Sequence, residues 1–336
     1  MLLNFLKTTL LLVLSIVITL VLGEFLVRLA LKDITSTSNM QTWFGVRWKE
    51  NYVTYNSLGY REREFGPEKE ADTYRIIMLG DSFGFGQGLP IEERFSHLIE
   101  EALIESGMKA EVLNIAFPGA ASLDHLLQLE EVVLPNNPDF ILIQWLPNDF
   151  QHREAAWAAI ASDKTASRRI IKDQRSHRKA MRKSALYFLV NTQYAAVIEA
   201  LDDNINAYDY NLLLPFEDPG SELYAETLQP LLDLLAALEA SGVDYAIALH
   251  PMLTPDLLED YPLGQLHELV LVNCDEANSP CFDAADKFRS LEPDTEMSSL
   301  WVNRFDPHPG AAANKIFAEF ILEEIGPAAW GYPAKP

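Results

Sequence analysis

The sequence predicts an α/β fold: a three-layer α/β/α domain with a central parallel sheet over residues 73–326, behind an N-terminal apolar helix. Three observations predict it. Short, mostly apolar runs recur along the chain: Tyr74–Leu79 (YRIIML), Glu111–Phe117 (EVLNIAF), Asp139–Leu146 (DFILIQWL) and Tyr245–Leu249 (YAIAL). Segments of helical spacing alternate with them. Each run stops at a glycine or proline: Gly80, Pro118-Gly119, Pro147 and Pro251. Parallel strands need crossover helices and are buried on both faces, so they read as near-continuous apolar runs rather than alternating ones.

The elements follow in order. The first strand, Tyr74–Leu79, is followed by a helix over Ile91–Ser106 and the second strand. Ser122–Leu134 is helical, with Ser122 as its cap, and leads to the third strand. Between Phe150 and Glu222 the alternation fails, which predicts a helical insertion, a lid, over residues 150–222. Leu228–Ala240 is an amphipathic helix that tolerates Pro230 in its first turn. The fourth strand ends at His250-Pro251, Leu269–Val272 is a candidate fifth, and Gly310–Ile325 closes the domain before a tail over residues 327–336.

Residues 1–32 stand apart as a transmembrane anchor. Thr8–Gly23 is an uncharged apolar run, extended past Glu24 by Phe25-Leu26-Val27. Sixteen helical residues cover about 24 Å, so crossing a ~30 Å hydrocarbon core needs the flanks. Glu24 and Arg28 can pair at i,i+4. A cleavable signal peptide ending near Val21-Leu22-Gly23 is the rival reading. Residues 33–72 read as a linker and N-terminal arm, with a turn signal at Asn56-Ser57-Leu58-Gly59-Tyr60. Lys and Arg flanking the span do not favour export, whereas Cys274 and Cys281, the only two cysteines, bracket a short loop that a disulfide could close. The balance predicts that the domain after the anchor lies outside the cytoplasm, periplasmic or on the cell surface.

Composition narrows the partners. Hydrophobic residues make up 49% of the chain, enough for a full core, and the formal net charge of -23 argues against nucleic-acid binding. Ten of the 26 Lys and Arg residues cluster between Arg153 and Lys183, against three acids. This basic island reads as a solvated helical face, with contact to anionic lipid head groups or an acidic glycan as the sharper alternative. No His and Cys spacing suits a metal, and no cofactor motif is evident; Gly84, Gly86 and Gly88 lack the Lys and Ser/Thr of a phosphate loop.

In open parallel sheets ligands bind beyond the carboxyl ends of the strands. Three such ends carry unusual residues here: Gly80-Asp81-Ser82, Pro118-Gly119 and Asn148-Asp149. Asp306-Pro307-His308-Pro309-Gly310 precedes the last helix. A nucleophile, small backbone donors, an amide and an Asp/His pair are thus predicted to share one rim. Asp81 and Asp149 read as loop-holding residues. His250 also ends a strand and is the one serious rival to His308, though a buried imidazole suits it better; His97 and His125 fall on predicted helices as surface or core residues.

These blocks resemble the SGNH/GDSL hydrolase family. Ile77-Met78-Leu79-Gly80-Asp81-Ser82-Phe83 is similar to the nucleophile block, and Asn114-Ile115-Ala116-Phe117-Pro118-Gly119 to the glycine block. Pro147-Asn148-Asp149 resembles the asparagine block, and Phe305-Asp306-Pro307-His308-Pro309 the histidine block. The anchor followed by Asn56-Ser57-Leu58-Gly59-Tyr60-Arg61 resembles membrane-tethered bacterial members. The resemblance implies a flavodoxin-like sheet and a serine esterase acting through an acyl-serine intermediate. Ser82 would be the nucleophile and His308 its base, with Asp306 orienting the imidazole. The Ser82 and Gly119 backbone N–H groups and the Asn148 amide would form the oxyanion hole. It implies no cofactor, and an O-acylated carbohydrate or small acyl ester as substrate. An O-acyltransferase acting on a surface polysaccharide and a non-catalytic binding domain are the alternatives. Two positions depart from the family pattern: Leu146 stands where the asparagine block usually has glycine, and one residue rather than two separates Asp306 from His308.

Overall fold

The structure, a computed structural model, describes residues 2–32, 42–150, 179–201, 212–258, 260–291, 295–304 and 306–333. Most of the predicted insertion, with the basic residues up to Arg178, and Phe305 lie outside the described residues. In chain order the principal helices are α1 (Leu2–Ala30), α2 (Trp43–Tyr52), α3 (Phe95–Glu105), α4 (Ser122–Gln128), α5 (Ala185–Leu201), α6 (Glu222–Ser241), α7 (Gly264–Glu276), α8 (Ala285–Arg289) and α9 (Ala311–Glu324). The strands are β1 (Tyr74–Leu79), β2 (Ala110–Asn114), β3 (Phe140–Trp145), β4 (Asp244–Leu249), β5 (Cys281–Asp283), β6 (Trp301–Asn303) and β7 (Asp306–Pro309). They fall into two compact units, Met1–Asn51 with Lys164–Asp203, and Tyr52–Asp163 with Asn204–Pro336.

The first unit is built on α1. Its 29 residues extend well beyond Thr8–Gly23 and reach about 43 Å, enough to cross a bilayer core of ~30 Å. Glu24 accepts from Arg28 Nε at 2.6 Å, the expected i,i+4 pair. The same carboxylate accepts from Ser184 Oγ (2.7 Å), Ala185 N (3.0 Å) and Leu186 N (2.9 Å). It therefore satisfies backbone donors at the start of α5, which a helix leaves unpaired. Phe44 of α2 is buried against Phe188 of α5.

The second unit is a five-stranded parallel sheet of order β2-β1-β3-β4-β5. The chain runs one way from β1 to β2, then back past β1 to β3 and onward. Right-handed crossovers accordingly send α3 to one face and α4, α6 and α7 to the other. Phe317 of α9 stacks edge-on against Phe95 of α3, completing the first layer, and α4 packs on α6 in the second. Ile76–Leu79 and Phe140–Trp145 are buried throughout, as a sheet covered on both faces requires. The strand order reverses between β1 and β3, opening a crevice at their carboxyl ends.

Three sequence expectations need correction. Leu269–Val272 is not a strand: it lies within α7, whose Leu266, His267, Val270 and Cys274 are buried at helical spacing. The fifth strand is Cys281–Asp283, only three half-buried residues. Pro230 is not in a first turn, because α6 begins earlier, capped by Ser221 Oγ accepting from Tyr224 N at 3.1 Å. The proline sits in the helix interior and forfeits one main-chain bond. Finally, Ser122 does not cap α4. Ala121 is the cap residue, and Asp124 supplies the side-chain acceptor for its N–H at 3.0 Å.

Candidate active site

The register of β1 on β3 sets the site. Leu79 pairs with Ile143, which puts Gly80 beside Gln144. A Cβ on Gly80 would lie 2.6 Å from Gln144 Oε1, so a larger residue there would push the Gln144 amide aside. Gln144 Oε1 accepts from Gly84 N at 2.9 Å and Asp81 N at 3.3 Å, pinning the loop that carries Ser82. From the other side Asn114 Nδ2 donates to Gly84 O at 2.7 Å. Gln144 was not among the expected site residues. Its signal was a lone amide inside an otherwise apolar strand.

Asp81 is fully buried and gathers this loop. Its Oδ1 accepts from Phe83 N at 2.9 Å, while Oδ2 accepts from Ser82 Oγ at 3.1 Å and Asn148 Nδ2 at 3.2 Å. Ser82 and Asn148 are half-buried, above a floor of buried residues. One carboxylate oxygen thus joins the two side chains expected to carry the nucleophile and an oxyanion donor. Leu146, where glycine was the family pattern, is buried, and its N–H donates to Asp149 Oδ2 at 3.2 Å.

Gly119 sits in the third corner. Ala120 N donates to Phe117 O at 3.1 Å across Pro118-Gly119, and Gly119 has φ +75°. Proline followed by glycine in the left-handed region is the pattern of a type II turn, which no β-branched residue would tolerate. Phe117 N donates to Gly80 O at 3.1 Å, tying this turn to the Ser82 loop.

His308 arrives on the short antiparallel pair β6–β7. Residues i and i+2 of a strand share a side. Asp306 and His308 do so here, and His308 Nδ1 lies 2.9 Å from Asp306 Oδ1. The same oxygen accepts from His308 N at 3.1 Å. Asp306 is fully buried, whereas His308 keeps its edge partly open, the ring 5.3 Å from that of Phe83. With Nδ1–H donating to Asp306, Nε2 is left as a base. Ser82 Oγ does not reach it here, being engaged by Asp81.

The rival histidine, His250, is buried and caged by the rings of Phe83, Phe288 and Phe317. Its Nδ1 lies 2.7 Å from Pro251 O. Burial pushes this imidazole down to about 3, so it stays neutral and sealed from solvent. Sequence reasoning missed a second buried pair: His125 Nε2 of α4 lies 3.3 Å from Asp149 Oδ2, both fully buried. Burial pushes the Asp149 carboxyl up to about 7, against the pull of His125. Nothing in a sequence links a helix residue to a strand end 24 positions away.

Among the described residues no cluster of three His, Cys, Asp or Glu side chains is arranged to hold a metal. A cavity of about 520 Å³, lined by residues such as Phe140, Asp244 and Phe282, lies at the amino ends of β3 and β4, the rim opposite Ser82. Cys274 of α7 and Cys281 of β5 form a disulfide.

No family model matches the chain. An arylesterase from Vibrio mimicus is 32% identical over 75 residues, which are 22% of this chain and 38% of that protein. The chain therefore spans well under half the length of the curated relative that it matches. Among solved structures, the acetylxylan esterase Axe2 from Geobacillus stearothermophilus superposes over 75% of this chain and 94% of its own, at a TM-score of 0.45 and 16% identity. TesA superposes over 75% of this chain and 98% of its own, at a TM-score of 0.44 and 12% identity.

Proposed function

We propose that this protein hydrolyses an ester through an acyl-Ser82 intermediate. The observation that carries the reading is the Asp306–His308 pair, 2.9 Å apart, with the imidazole against the ring of the residue that follows Ser82. In this reading Ser82 Oγ turns from Asp81 to His308 Nε2, which takes its proton as Oγ attacks the ester carbon. Asp306 holds the tautomer that leaves Nε2 free and stabilises the imidazolium that forms. The oxyanion meets the Ser82 and Gly119 N–H groups and the Asn148 amide, whose aim Asp81 fixes in the resting state. The alcohol leaves with the proton from His308. Water then repeats the sequence, releasing the acid and restoring Ser82.

The substrate in this reading is an O-acylated carbohydrate or a small acyl ester, as the SGNH resemblance implies. The chain is held to a membrane by α1, long and apolar enough over Asn4–Ala30 to cross one, and the Cys274–Cys281 disulfide supports a body facing an oxidising compartment. Turnover of p-nitrophenyl acetate, with labelling of the active serine by a fluorophosphonate, tests the reading. The wild-type chain turns over and is labelled, and Ser82→Ala does neither. Equal turnover by both refutes it.

A further inference from the structure

The unit formed by α1, α2 and α5 carries an apolar surface that the hydrolase reading leaves unused. From Asn4 to Leu22 every side chain of α1 is exposed, and only Gly23, Glu24 and Val27 of its last turns are partly covered. There Gly23 approaches Leu186, and Glu24 caps α5. Helix α5 therefore joins α1 only at the end of the apolar span. Met181, Ala185 and Phe188 are buried, yet the outward stripe is also apolar: Tyr187, Val190 and Tyr194 are 40%, 59% and 66% exposed. The exposed described side chains of α5 are these three and Gln193, so its outer face is apolar but for one amide, a face not built for water.

The polar groups at this junction fit a bilayer boundary. Both Glu24 oxygens are occupied, by Arg28, Ser184 and two backbone N–H groups, so the carboxylate needs no water. Arg28 stacks on Trp43, an aromatic suited to the headgroup level. Just before α5, Lys179, Arg182 and Lys183 are all exposed, a cationic edge beside the apolar stripe. Apolar stripe, aromatic residues and flanking cations together are the pattern of an interfacial helix.

We propose that α5 lies in the interface of an anionic bilayer, beside α1. Tyr187, Val190 and Tyr194 enter the acyl boundary, and Lys179, Arg182 and Lys183 meet lipid phosphates. The inference rests on α1 being a membrane span and is independent of the chemistry at Ser82. Both native cysteines are in the disulfide, so a single introduced cysteine can be spin-labelled selectively. The full chain is labelled at Val190→Cys, at Tyr194→Cys, or at Ile16→Cys as the lipid reference. It is reconstituted in phosphatidylcholine and phosphatidylglycerol, three to one. Collision with oxygen is compared with collision with a water-soluble nickel chelate, the free nitroxide in buffer giving the aqueous value.

Labels at Val190 and Tyr194 are expected to follow Ile16 in favouring oxygen. Omitting phosphatidylglycerol, or making K179Q/R182Q/K183Q, is expected to shift Val190 towards the aqueous value. Lipid-like Ile16 with water-like Val190 and Tyr194 overturns the proposal while α1 still spans. A water-like Ile16 removes the span itself, and the proposal with it. Lipid-like labels indifferent to charge overturn the phosphate contacts.

Discussion

At the scale of single residues, Asp81 and Gln144 organise the site as much as the residues that would touch substrate. If the Asn148 amide holds the oxyanion, Asn148→Ala should lower kcat by about 10²–10³ while the protein stays folded, as loss of one such donor does elsewhere. Steady-state kinetics beside a thermal melt check both halves. Asp306→Asn should leave His308 in position with its Nδ1 facing a donor, favouring the wrong tautomer; kcat should fall about 10⁴-fold. Gln144→Leu removes the acceptor for Gly84 N and Asp81 N in a buried loop. Leaving buried donors unpaired costs about 1–3 kcal/mol each, so a denaturant midpoint should fall measurably.

At the scale of elements, the short pair β6–β7 decides where His308 stands. Gly310 closes it, donating to Leu300 O at 2.7 Å, and a Cβ there would lie 2.6 Å from Trp301 O. Backbone cannot yield as a flexible side chain does. Gly310→Ala should therefore push β7 from β6 and displace the imidazole, lowering kcat far more than KM; Ala311→Ser, one residue on at the exposed start of α9, should do neither. At the other edge of the sheet, the disulfide ties β5 to α7 across a separation of seven residues. In the chain-entropy view closing so short a loop is worth about 2–3 kcal/mol. Unfolding with and without reductant should show that difference, and the Cys274→Ser, Cys281→Ser double variant should erase it.

The whole molecule responds to pH through groups buried far from its surface. His250 is held near 3, below its ordinary 6.5, so the folded state binds fewer protons than the unfolded chain in that window. Its contribution is present above pH 6.5 and is lost as pH falls through 6.5 towards 3. Asp149 has the opposite sign: raised to about 7, it stabilises below its ordinary 3.8 and loses that contribution as pH rises to 7. Denaturant midpoints measured across pH 3–8 should show His250→Gln with a shallower acid-side fall than the wild type, and Asp149→Asn with a flatter fall towards neutrality.

What the sequence determined by itself were the features set by local composition. Four strands were legible because burial on both faces makes their runs mostly apolar, and glycine or proline ends each run. Those ends made Ser82, Gly119 and Asn148 candidates, and the segment before the last helix did the same for His308. The fifth strand was not legible, since three half-buried residues at an edge carry too little apolar signal, while a richer run in α7 imitated a strand. Only the tertiary structure decided which groups hold one another: Gln144 against Gly80, Asp81 between Ser82 and Asn148, His125 with Asp149, Glu24 at the head of α5. The reason is physical. Hydrophobic burial is written into each segment's own composition, whereas a buried hydrogen bond depends on register and crossover between segments distant in the chain, and no local pattern encodes that.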